Sequence, residues 1–112
     1  NMLRELNFNS KVATEEFSVA ILNATGASGV ATFGGRVVKN VGGHVVSVEN
    51  ASAITKNTIL ITDAPESVTA KYLSKFFNVH KVLSKSASPL SDPTIYRVDT
   101  ALVLGLDFLE NY

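Results

Sequence analysis

The stretch FSVAILNATGASGVATFGG, residues 17–35, narrows the choice of fold more than any other part of the chain. FSVAIL, 17–22, is a short apolar run with β-branched members, so it reads as a strand. Because both of its alternating faces are apolar, that strand belongs inside a sheet and not at its edge. Asn23, Thr25, Gly26, Ser28 and Gly29 then break the run. A helical stripe follows at Val30, Phe33, Val37, Val38 and Val41, each one, three or four residues from the last. Gly42 and Gly43 end it, since glycine accepts the left-handed dihedrals of a helix C-terminus.

The remaining punctuation is regular. HVVSVE, 44–49, alternates and reads as a second strand, NASAITKN, 50–57, as a polar loop, and TILIT, 58–62, as a third strand. Pro65 suits a first helical turn, and Glu66 beside it favours the positive helix end. Val68, Tyr72 and Phe76 repeat every four residues, flanked by Leu73 and Phe77, which makes an amphipathic helix of about three turns. HKVLS, 80–84, is a fourth strand, SASPLSDP, 86–93, a loop, and TALVLGL, 100–106, the last strand, with FLENY as a tail. The mixed, weakly periodic residues 1–15 read as a linker or loosely docked arm.

The order is β-α-β-β-α-β with an added strand. Two middle strands joined without a helix predict an α+β fold. We expect a split-βαβ, ferredoxin-like sheet of four to five strands with two helices packed on one face. In that topology the loops 23–28, 50–57 and 78–80 share one end of the sheet. A last strand returning antiparallel would bring residues 105–108 there too, and this end is where function is expected.

Composition removes several function classes. The 112 residues suffice for one domain with a real core. Ten Lys plus Arg balance ten Asp plus Glu, without the basic excess that phosphate contacts demand of a duplex binder, so no nucleic-acid partner is expected. The absence of cysteine removes thiol catalysis, disulfide staples and cysteine-ligated zinc. No apolar run approaches the ~18 residues of a membrane span. The chain opens at Asn1 and not at Met, so an export signal or anchor is expected to lie outside it.

The glycine turn carries the sharpest functional reading, a dinucleotide site. TGASG follows a strand, and Glu49 ends the next one, about where a ribose-binding acid belongs. Against this, position 32 is Thr where the third glycine should fall, and Gly34 and Gly35 are out of register. The second strand leads into a third without a helix. We therefore read the turn as architectural: Asn23 closes it, Ser28 caps the helix, and Gly26 and Gly29 permit the bend. Gly34 and Gly35 inside a helix cost about 1 kcal/mol each relative to alanine, which close approach to the sheet would explain. A ligand lying on the bare helix face is the alternative.

No other constellation nominates a catalyst or a metal site. His44 and His80 each begin a strand, far from any partner ligand, and no Gly-x-Ser-x-Gly elbow exists. Asp63 with Glu66 and Asp99 with Asp107 are explained by capping and strand-end solvation. Lys71, Lys75, Lys81 and Lys85 form the one basic cluster, a solvated face or a patch for an anionic polymer. Tyr96 is the aromatic placed for exposure.

FSVAILNATGASGVA, the break at Gly42 and Gly43 before HVVSVENA, TILIT and the closing ALVLGLDF together resemble the C-terminal domain of the LytR-CpsA-Psr cell-envelope proteins. Leu22, Asn23, Ala24, Thr25, Gly26 and Gly29 match its first motif. Asn50 and Ala51 match the second, and Leu104, Gly105, Asp107 and Phe108 the last. Gly43 stands where an aromatic is usual, and Ile61 with Thr62 replaces an I-x-Y-Y ending. The division this implies is a linker or arm at 1–15 and a single domain at 16–112.

The resemblance implies a non-catalytic, extracytoplasmic accessory domain of a bacterial envelope protein, without cofactor or metal. It would reach the membrane only through an anchor outside this chain. Its expected partner is a cell-wall glycan, an attached anionic polymer or another envelope protein. The candidate ligand-binding residues are Asn23, Thr25, Gly26, Ser28, Gly29, Asn50, Lys71, Lys75 and Asp107. The alternatives are a structural or oligomerising module that positions a neighbouring domain and, more remotely, a nucleotide-binding enzyme fragment.

Overall fold

The two-faced apolar run at 18–23 does become an interior strand. In the computed structural model, which describes residues 8–111, the chain forms α1 (Ser10–Glu15), β1 (Ser18–Asn23), α2 (Val30–Asn40), β2 (His44–Asn50) and β3 (Ile59–Thr62). It continues through α3 (Val68–Phe76), β4 (Lys81–Leu83), β5 (Thr100–Leu104) and α4 (Leu106–Asn111), with 3₁₀ turns at Lys85–Ala87 and Pro93–Tyr96. The five strands lie in the order β2-β1-β5-β3-β4. β1 runs parallel to both β2 and β5, β3 runs parallel to β4, and β3 meets β5 antiparallel.

This is the expected α+β class, but the strand order differs from a split-βαβ sheet. β1 touches β2 directly and β3 touches β4 directly, so the β-α-β units are unsplit, and β5 lies between them. Burial supplies the reason. All five residues of β5 are buried, which requires a central place, whereas β2 alternates between exposed and half-buried and β4 is largely exposed.

The sheet is covered differently on its two sides. On one, Val19, Ile21, Leu60, Leu102 and Leu104 pack against Val37 and Val38 of α2 and Leu73 of α3, so both helices share a face as expected. On the other, Ala20, Leu22, Ile61 and Val103 lie under Leu90, Ile95 and Val98 from the irregular segment before β5. Burying each of those three side chains contributes roughly 1.5–3 kcal/mol.

Close approach explains the glycine pair in α2. A Cβ at Gly34 would lie 2.8 Å from Leu104 Cδ1 and 3.2 Å from Ile21 Cγ2, and one at Gly35 would lie 3.0 Å from Val48 Cγ2. The sheet fills the space on that helix face, so the alternative of a ligand there is not supported.

Of the arm at 1–15, residues 1–7 lie outside the described residues. The rest is docked. Asn9 caps α1 by accepting from the Lys11 and Val12 amides at 3.0 and 3.1 Å, its own N–H donates to Val41 O at 2.8 Å, and Val12 is buried. Glu15 then accepts from the Val68 and Thr69 amides at 2.9 and 2.8 Å, satisfying the start of α3. Burial pushes its carboxyl pKa up, but hydrogen bonding from Thr69 and Val68 outweighs this and leaves it below 4.5. The expected tail at the C-terminus is instead α4. Its Phe108 is buried against Phe33 and Phe77, with ring centroids 6.3 and 6.1 Å apart.

Candidate functional site

The loops after β1 and β2 and the start of α4 meet at one end of the sheet, as the strand directions require. Ala51 N–H donates to Asn23 O at 2.9 Å, Ala24 N–H to Leu104 O at 2.9 Å and Thr55 N–H to Ala24 O at 3.0 Å. Leu106 and Asp107 amides donate to Thr55 and Lys56 carbonyls at 3.0 Å each, and His80 N–H to Thr58 O at 2.8 Å. The expected convergence of 23–28, 50–57, 78–80 and 105–108 is therefore present.

Within it, Asn23 and Thr25 are structural. Asn23 Oδ1 accepts from the Thr25 amide at 2.9 Å and from its hydroxyl at 2.6 Å, while Nδ2 donates to Ala27 O at 2.6 Å and to Asn50 Oδ1 at 3.4 Å. Thr25 Oγ1 in turn accepts from the Ala27 amide at 3.0 Å. Both residues are buried, and this satisfied network shapes the turn without leaving donors for a ligand. Gly26 has φ +79°, a left-handed angle that side chains rarely adopt. Gly29, not Ser28, occupies the N-cap of α2, and no side chain bonds there. Ser28 is exposed instead.

An open cleft of about 420 Å³ lies between this turn and the loop after β2. Asn23, Gly26, Ala27 and Ser28 form one wall; Asn50, Ala51, Ser52, Ala53 and Ile54 form the other. Ser28 and the Asn50 amide group offer polar contacts at its rim, and Ile54, 62% exposed, adds an apolar surface. The second wall is anchored from a distance: buried Asp92 accepts from the Ser52 amide at 2.9 Å and its hydroxyl at 2.7 Å. Ile54 and Asp92 are additions to the sequence reading. An isoleucine alone in a polar loop was a usable signal, whereas nothing local ties Asp92 to a serine 40 positions away.

The other candidates stand apart from the cleft. Asp107 Oδ1 accepts from the Thr58 amide and hydroxyl at 2.9 and 2.7 Å, pinning the start of β3. Lys71 pairs with Glu66 at 3.1 Å on exposed surface, and Lys75 lies one turn further along α3, over the β3 side of the sheet. Glu49 faces the side of the sheet away from α2, where it accepts from Ser47 at 2.6 Å and Thr94 at 2.8 Å. Asp99 accepts from Ser18, and Asp63 accepts from the Lys85 amide at 2.9 Å; both are strand-end contacts. Among the described residues, no group of three or more His, Cys, Asp or Glu could hold a metal ion.

Residues 16–108 match the family model described as LytR cell envelope-related transcriptional attenuator. The chain belongs to the LytR C-terminal family. No curated protein and no solved structure matches it. As a LytR C-terminal domain it is a cell-envelope-associated domain, of a family that is regulatory or accessory and not known for catalysis. No helix among its described residues is long and apolar enough to cross a membrane. The family match starts at 16, so α1 lies outside the matched span, yet it caps α3 through Glu15.

Proposed function

We propose that this LytR C-terminal domain is a non-catalytic binding module, working outside the cytoplasm, for a cell-wall glycan held in the cleft between 23–28 and 50–54. The observation that carries the reading is the division of labour around Asn23. The buried polar atoms of the turn are spent on one another, while Ser28, Asn50 and Ile54 face an open cleft. A neutral rim of hydroxyl, amide and aliphatic groups suits a hydroxyl-rich chain, since sugars need hydrogen bonds and an apolar platform more than charge. Lys71 and Lys75, on another part of the surface, add attraction only if the glycan carries an anionic polymer. That attraction is screened within about 10 Å at 0.1 M salt.

Co-sedimentation with purified peptidoglycan sacculi, with and without attached anionic polymer, tests this. Binding to bare sacculi should be nearly independent of salt and about tenfold weaker in Ser28→Trp, which fills the cleft from an exposed position. Lys71→Glu with Lys75→Glu should remove only the salt-sensitive increment gained with the polymer. Undiminished binding by Ser28→Trp would move the site elsewhere. No binding to either preparation at millimolar site concentration would leave a module that positions a neighbouring domain.

A further inference from the structure

A second depression adjoins the cleft at the start of α2. Val30 and Phe33 lie one turn apart on the flank of that helix nearest α4, and with Phe108 and Leu109 of α4 they line a groove of about 350 Å³. Ser28 and Gly29 complete its lining. Phe108 is buried, whereas Phe33 and Leu109 stay 37% and 46% exposed. The Phe33 ring rests against Phe108, with centroids 6.3 Å apart and planes inclined at 50°. A partly exposed aromatic ring is thus braced from behind by a buried one.

Groove and cleft are continuous. Ser28 lines both, and beside it Gly29 leaves the rim bare: a Cβ there would meet nothing within 4 Å. No side-chain cap of α2 crosses this path. None of the six groove residues is charged. Their number argues against a protein partner, since a stable interface engages about 20–30 residues a side. A groove of this volume falls instead in the range of small-ligand sites, which are lined mainly by apolar and aromatic groups with a few polar ones. Its continuity with the cleft points to the next part of one ligand.

We propose that this groove is a second subsite for the same glycan, in which the exposed ring of Phe33 stacks on a sugar ring; the proposal rests on the reading of the cleft as a glycan site. A pyranose presents C–H groups on its faces, and their partial positive charge suits the negative face of an aromatic ring. Its hydroxyls point outward around the rim. In an open groove they stay in contact with water or with Ser28, so no polar group is buried without a partner. The ligand class that follows is an extended oligosaccharide strand, long enough to span cleft and groove, and not a single sugar.

The test is an NMR titration of the intact domain, read at amides and aromatic rings, with N-acetylglucosamine and with its linear β-linked tetramer. The tetramer should shift the signals of Phe33 together with those of 50–54 and bind about tenfold more tightly than the monosaccharide. Phe33→Leu keeps apolar bulk against Phe108 and should lose most of that gain, while Phe33→Tyr keeps the ring and should retain it. Tetramer bound at 50–54 without a shift at Phe33, or bound equally by Phe33→Leu and the parent, would overturn the second subsite and leave the cleft intact. Self-association through Phe33 that the tetramer does not displace would overturn it as well. If neither the tetramer nor sacculi bind the parent at millimolar concentration, the cleft reading falls and this subsite falls with it.

Discussion

The two β-α-β units, β1-α2-β2 and β3-α3-β4, begin alike and end differently. In each, the last strand residue folds the following turn: Asn23 Oδ1 accepts from the Thr25 amide at 2.9 Å, and Thr62 Oγ1 from the Ala64 amide at 3.0 Å. Thereafter α3 is closed. Ser67 accepts from the Ala70 amide at 3.1 Å, Glu15 takes the two preceding amides, and the rings of Tyr72, Phe76 and Phe77 fill the space beneath and beside it. α2 has no side-chain cap and lies on the sheet through two glycines, with an open cleft at its start and an open strand edge beside it. The second unit uses its polar groups to stabilise itself. The first leaves surface available, which is where the proposed binding cleft falls.

The largest expected effect comes from crowding the first unit. Gly34→Val places a branched side chain where even a Cβ would meet Leu104 at 2.8 Å, and overpacking of this kind should cost about 3 kcal/mol in urea unfolding. A stable variant would mean that α2 can lift from the sheet, and the contrast with α3 would weaken. Next is Gly26→Val, which forces a left-handed angle and presses on Ile54. It should cost about 2 kcal/mol by the same measurement. Full stability with loss of sacculus binding would instead make the turn primarily a binding element.

The second unit is probed more gently by Glu15→Gln. The folded carboxyl titrates below its ordinary 4.5, so its stabilising contribution is complete above that pH and fades as pH falls through the folded value. At neutral pH the glutamine variant should lose about 0.5–1 kcal/mol, the discount reflecting partial exposure. The stabilities of variant and parent should converge in acid, as thermal melts from pH 7 to 3 would record. The smallest effect is expected at Lys71. Its exposed pair with Glu66 should contribute less than about 0.5 kcal/mol, so Lys71→Ala should melt within experimental error of the parent.

Much of this architecture was legible in local patterns. β1 and β5 announce burial because both faces are apolar, and the stripe from Val30 to Val41 sets the face of α2. Asn23, Gly26 and Gly29 mark their turn because its backbone angles and short hydrogen bonds are local matters. The resemblance built on those residues is borne out by the family match over 16–108. The cap at Gly29 escaped the reading, since serine is the commoner capping side chain and only the backbone path shows that Ser28 lies outside the helix.

Sequence alone thus determined the five strands, the two helices α2 and α3 and the end of the sheet that gathers the loops, while it read the short helices α1 and α4 as an arm and a tail. These depend on side-chain period and on chain direction, and both are written along the chain. Only the tertiary structure decided that β5 separates the two units, that Glu15 caps a helix 53 residues away, and that Asp92 holds the wall of the cleft. Each of these pairs residues distant in the chain. Such pairings are selected by the total burial and hydrogen bonding of the assembled sheet, a sum that no local stretch contains.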